Sequence, residues 1–157
     1  GNIDVSDERE VGGEPVADLR VRHSSLRGID MAPAAAPSMI DEFPIFFIAA
    51  AFAQGTSRTA GLEELRVKES DRLAAMAAGL AAIGVPAQET PDGLHVTGSG
   101  GDPLPGGGLV DPRLDHRIAM SFAVAGLHAR AAIEVADMAP VDTSFPGFAD
   151  TLERLST

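Results

Sequence analysis

The chain of 157 residues has no cysteine, no tryptophan and no tyrosine, and its aromatics are seven phenylalanines. Without cysteine there can be no disulfide and no thiolate-ligated zinc, which fits a reducing, cytoplasmic compartment. The core must be built from Ala, Leu, Ile, Val, Phe and Met, small enough to bring helices close to strands. Histidine is also sparse: His23, His95, His116 and His128 lie apart without HxxxH spacing, so no metal site is expected. Positive charge is short as well, with 12 Lys and Arg against 23 Asp and Glu and a net charge of -11. That balance argues against nucleic acid and anionic membranes as partners. The longest apolar run, 45–53, falls short of the roughly 20 residues a membrane helix needs. No signal-peptide pattern opens the chain. Its abrupt start in strand-like, Gly-rich sequence reads as a piece of something longer.

What is present is ordinary globular material, 45% hydrophobic, in a length that sets one domain as the expectation. Residues 1–16 read as a loop with a short strand at 3–5, and 17–22 alternate as a half-buried strand. A second strand is expected at 26–31, then a turn at Pro33 and Pro37. Asp41 before an apolar segment, Pro44 in its first turn and Gly55 after it mark a buried helix over 43–53. A short strand at 56–60 precedes a helix over 69–83, with Leu73, Met76, Leu80 and Ile83 on one face. Segments 86–90 and 94–97 flank Pro91-Asp92-Gly93 as a hairpin. Residues 98–108 read as a surface loop. Asp115 opens another helix, 131–135 is a strand, and 146–155 is a last helix capped by Thr143 or Ser144. A shift of about 75 residues lays 41–83 on 115–157, the pattern of duplicated α/β modules rather than a solenoid.

Two clusters stand out. Residues 65–72, Leu-Arg-Val-Lys-Glu-Ser-Asp-Arg, put Arg66, Lys68 and Arg72 beside Glu69 at a helix start. Residues 114–117, Leu-Asp-His-Arg, repeat the arrangement with His116 and Arg117. Cations oppose the partial positive charge of a helix N-terminus. Their recurrence in an acidic chain points to a bound anion, which would also meet the free N–H groups there. On spacing alone, pairing of Arg66, Lys68 and Arg72 with Glu63, Glu64 and Asp71 at a solvated helix end is the favoured reading. Asp41 and Asp115 likewise read as plain N-caps. If equivalent helix starts of stacked modules open on one side, Asp41, Glu69, Arg72 and Arg117 face a common cleft.

The strings LRVKESDRL (65–73), LDHRIAMSF (114–122), APSMIDE (36–42), TSFPGF (143–148) and GGEPVADLRVR (12–22) resemble the EPSP synthases, the 3-phosphoshikimate 1-carboxyvinyltransferases. A related enolpyruvyl transferase family, acting on UDP-N-acetylglucosamine, fits these strings less well. The resemblance implies an α/β fold of βαβαββ modules with the helices inside, an inside-out α/β barrel. It also implies transfer of the enolpyruvyl group of phosphoenolpyruvate to the 5-hydroxyl of shikimate 3-phosphate, with release of phosphate and with no metal or organic cofactor. The site would lie between two lobes. By motif, Asp41 is similar to the acid contacting the shikimate hydroxyls, Lys68 to the lysine beside it, and Glu69 to the acid/base group at the methylene. Arg72 and Arg117 match the arginines that clamp phosphoenolpyruvate, for which a planar guanidinium fork is suited. His116 takes a supporting place. Thr143 stands where many members carry lysine. The chain would be the C-terminal lobe, lacking its N-terminal partner and inactive alone. The alternative is a non-catalytic anion-binding module of the same fold.

Overall fold

The computed structural model describes residues 1–156. Its first feature is a long antiparallel hairpin of β1 (Asn2–Val11) and β2 (Glu14–Arg22). Gly12 and Gly13 turn it, at φ +63° and +87°, the backbone hand that matches strand twist in a two-residue turn. The expected loop over 1–16 is therefore strand for most of its length. A bulge hides it: Asp7 sits at φ +50° and the register shifts between Ser6 and Arg9, which breaks the alternation. The hairpin stands largely in solvent, so 17–22 is a strand but not a half-buried one.

The expected strand at 26–31 forms only two isolated bridges, Arg27 to Gln54 and Asp30 to Arg58. Two 3-10 turns follow, Pro33–Ser38 and Ile40–Glu42, and the second runs directly into α1 (Phe43–Phe52). Asp41 lies inside that turn and its side chain caps nothing, which corrects the N-cap reading. The helix buries Phe43, Phe47, Ile48, Ala50 and Ala51. Next come β3 (Thr56–Arg58), a 3-10 turn at Glu63–Val67 and α2 (Arg72–Ala82). This helix starts three residues later than expected because Asp71 caps it, accepting from the N–H of Ala74 at 3.0 Å. Lys68 and Glu69 thus sit on the loop before the helix rather than on it.

The hairpin β4 (Ala87–Thr90) and β5 (Gly93–Thr97) forms as expected, and β5 is the centre of a three-stranded sheet with β3. The supposed surface loop at 98–108 holds β6 (Leu104–Gly106) and leads to β7 (Leu109–Val110). These pair in parallel with β8 (Ala129–Ala131) and β9 (Glu134–Val135), into which the strand expected at 131–135 is divided. Gly106, at φ +71°, lies so close to the Ala131 carbonyl that no Cβ would fit, so glycine here serves strand pairing rather than mobility. Between these strands runs α3 (His116–Gly126), capped by Asp115 as expected. The C-terminal segment divides into α4 (Ala139–Ser144) and α5 (Phe148–Ser156). Thr143 and Ser144 close α4 instead of capping the last helix.

The core is one cluster in which α1, α2 and α3 meet each other through Phe43, Phe47, Leu73, Met76, Leu80 and Phe122, all at most 1% exposed. The short sheets lie around these helices. Burial of each such side chain contributes roughly 1.5–3 kcal/mol. Among the described residues no helix is long and apolar enough to cross a membrane.

Candidate active site

The N-termini of the three central helices come together at one end of this core, and Arg72 is their meeting point. Its side chain is 1% exposed. Nε donates to Asp115 Oδ2 at 2.7 Å, Nη1 to Asp41 Oδ1 at 3.0 Å and Nη2 to Glu69 Oε2 at 2.6 Å. The three carboxylates come from the turn before α1, the loop before α2 and the cap of α3. Burial alone would strip a proton from the guanidinium more easily; the bonded Asp115 and the charges of Asp115 and Glu69 outweigh this and hold it protonated.

Asp115 is itself fully buried and works in two directions. One oxygen accepts from the N–H groups of Arg117 at 2.9 Å and Ile118 at 3.4 Å, the N-cap role. The other takes Arg72 Nε and the Ser70 hydroxyl at 3.1 Å. The cap is visible in the sequence and the ion pair is not, since nothing local connects positions so far apart.

Lys68 lies beside this knot, 2.7 Å from Glu64 Oε1 and 3.7 Å from Asp41 Oδ1. Its pKa is raised chiefly by the bond to Glu64, with Asp41 adding to it. Arg117 donates from Nη1 to the Asp41 carbonyl at 3.0 Å and to Glu42 Oε1 at 3.3 Å. For Asp41, burial works to raise the carboxyl pKa, but the Arg72 bond and the charges of Lys68 and Arg117 prevail and hold it below the usual range. His116 occupies the first turn of α3 next to Arg117, half-buried.

Asp41, Lys68, Glu69, Arg72 and Arg117 are thus drawn to one place, with His116 next to Arg117 in the first turn of α3. Their cations are not open, however. Each of Lys68, Arg72 and Arg117 already holds a carboxylate, and Arg72 is sealed beneath Asp41 and Glu69. Asp41 and Glu69, which cover Arg72, have side chains 46% and 51% exposed. Adjacent to the knot is a groove of about 230 Å³ whose lining includes Arg117, Asp41, Met120, Val124, Phe145 and Phe148. Chemically, the arrangement offers cations for an anion and carboxylates for moving protons, on a wall open to solvent. Among the described residues no group of three or more His, Asp or Glu is placed to hold a metal ion.

Fold and site together describe a polar wall of helix starts on a helix-centred α/β core, the kind of surface on which anionic substrates are handled. The family model described as EPSP synthase (3-phosphoshikimate 1-carboxyvinyltransferase) matches residues 3–152, and the chain belongs to that family. It is 61% identical over 155 residues to the 3-phosphoshikimate 1-carboxyvinyltransferase of Sphingopyxis alaskensis, covering 99% of this chain and 35% of that protein. A relative of the same name from Novosphingobium aromaticivorans is 60% identical over 156 residues, 98% of this chain and 35% of its own. Among solved structures, an EPSP synthase from Acinetobacter baumannii superposes with a TM-score of 0.94 at 44% identity, over 98% of this chain and 36% of that one. The fold is therefore the α/β enolpyruvyl transferase fold expected from the motifs. The chain spans about a third of the length of these relatives.

Proposed function

We propose that the chain is the C-terminal lobe of a 3-phosphoshikimate 1-carboxyvinyltransferase and supplies one wall of its active site. The complete enzyme would add the enolpyruvyl group of phosphoenolpyruvate to the 5-hydroxyl of shikimate 3-phosphate. The C–O bond to phosphate breaks, the ether bond forms, and the hydroxyl proton passes to a carboxylate such as Asp41, with the charged Lys68 stabilising the developing oxyanion. The observation that carries the reading is the Arg72 guanidinium gathering Asp41, Glu69 and Asp115 from three segments.

In this reading Arg117 and Arg72 hold the carboxylate and phosphate of phosphoenolpyruvate, with Asp41 or Glu69 exchanging places with the substrate on Arg72. Lys68 and Asp41 meet the shikimate hydroxyls, Glu69 serves as acid and base at the methylene, and His116 supports Arg117. The two substrates and the N-terminal lobe are the partners, in the cytoplasm. The open wall neither excludes water nor aligns two reactants, so the chain alone is expected to be inactive.

The neutralised cations favour a second reading, a purely structural ion network in an anion-binding module. One experiment separates the two. The chain is mixed with the N-terminal two-thirds of the Sphingopyxis alaskensis relative, and phosphate release from phosphoenolpyruvate and shikimate 3-phosphate is followed. Activity that appears on mixing and disappears with Glu69→Gln supports the transferase. Absence of activity, with anion binding indifferent to Glu69, supports the module.

A further inference from the structure

The loop carrying Lys68 and Glu69 is held at both ends by one side chain that touches neither. Arg66 donates from Nε to the Pro91 carbonyl at 2.7 Å, in the turn between β4 and β5, and from Nη2 to the carbonyl of Thr90, the last residue of β4, at 2.6 Å. Its Nη1 reaches Glu89 Oε1 at 2.8 Å and Asp71 Oδ2 at 3.0 Å. Asp71 is the cap of α2, so one guanidinium fastens the hairpin turn, the 3-10 turn and the helix start together. Further back, Asp92 fixes the same segment by accepting from the N–H of Gly61 at 3.0 Å.

Packing cannot set the shape of this loop. Leu65 is buried, but Val67, the apolar residue between Arg66 and Asp71, is 79% exposed. The shape of 67–70 therefore depends on polar bonds, and Arg66 makes those that bridge its two ends.

We propose that Arg66 is a positioning residue that holds the 67–70 loop so that Lys68 and Glu69 meet the substrates. This rests on the transferase reading for its consequence, though not for its geometry. Lysine cannot take over the role. A single ammonium cannot span two carbonyls and two carboxylates in the plane a guanidinium fork provides.

The test is Arg66→Lys, with Glu89→Gln as a milder variant that removes one ionic arm and leaves the backbone bonds in place. In the chain itself, ¹⁵N relaxation reads the loop. Amide order parameters at Val67–Ser70 are expected to fall from a rigid value near ~0.85 to below ~0.6 in Arg66→Lys, with α1 and α3 unchanged and a smaller fall in Glu89→Gln. In the two-part enzyme, kcat should drop about tenfold to a hundredfold, the scale of an ångström of misplacement, while KM for phosphoenolpyruvate holds. A loop that stays rigid in Arg66→Lys, or a loss of order spread through the core, overturns the positioning role. So does full kcat with a loosened loop. A wild-type mixture that never turns over refutes the transferase reading instead, and the relaxation data still decide whether Arg66 is the clamp.

Discussion

Replacing Asp115 with asparagine separates two roles that alanine would remove together. As an N-cap, Asp115 uses one oxygen on the Arg117 and Ile118 amides, and asparagine caps as well as aspartate does. As the partner of Arg72 it supplies a charge at a site where both side chains are at most 1% exposed. Asparagine keeps the first role and loses the second, turning an amide towards the guanidinium. Breaking a buried pair by removing one partner costs about 3–5 kcal/mol. Arg72 retains Asp41 and Glu69, so about 3 kcal/mol is expected, with roughly 1 kcal/mol more for Asp115→Ala through the lost cap. With a urea slope of about 2 kcal/mol/M, Asp115→Asn should lower the unfolding midpoint by about 1.5 M. The double variant Asp115→Asn with Arg72→Met should cost clearly less than the sum of the singles. If Asp115→Asn stays within about 0.5 kcal/mol of wild type while alanine costs about 1 kcal/mol, the residue is only a cap and the buried pair carries no weight.

Further outcomes follow from the same geometry. The Asp41 carboxyl is held below its ordinary value of 3.8, so the stability it contributes is present above that pH and is lost as pH falls through the depressed value. Urea midpoints of wild type and Asp41→Asn should therefore differ at pH 6 and converge only as pH falls below 3.8 through the depressed value; a gap that persists in stronger acid refutes the assignment. Gly79→Ala should be destabilising by about 1 kcal/mol or more, against the roughly 1 kcal/mol gain that helix propensity predicts. The new Cβ would be driven into the fully buried Phe122 ring, and thermal melts read the sign. Glu69→Gln should leave the chain folded, by circular dichroism, yet abolish turnover in the two-part enzyme.

How much was legible before the structure depended on whether the signal was local. The cap at Asp115, the buried α1 and the β4–β5 turn all announce themselves within a few residues, whereas the cap at Asp71 did not, because Lys68 to Ser70 run into it without a break. β1 did not, because the bulge at Asp7 and the charged run 7–10 interrupt its alternation. β6 was hidden because Gly106 serves close backbone approach to β8, and in sequence that looks like a flexible loop. Asp41 misled because Asp before Pro44 imitates a cap, whereas a 3-10 turn feeds α1 directly. In the site, the cations were visible from their unfavourable position at helix starts. Their partners were less so: Glu69 lies near Arg72 in sequence, but Asp115 and Asp41 reach it only through tertiary packing. Arg66 belonged to a prominent string, yet its role depends on a turn some two dozen residues away.

The most direct measurement is a ¹⁵N titration of the chain with phosphoenolpyruvate, following the side-chain Nε signals of Arg72 and Arg117 and the amides of 68–72 and 116–118. Saturable shifts concentrated on those groups, and reduced by Arg117→Ala, are the predicted result. Shifts absent at millimolar ligand, or spread evenly over the surface and unaffected by Arg117→Ala, would contradict the claim that these helix starts form an anion-binding wall.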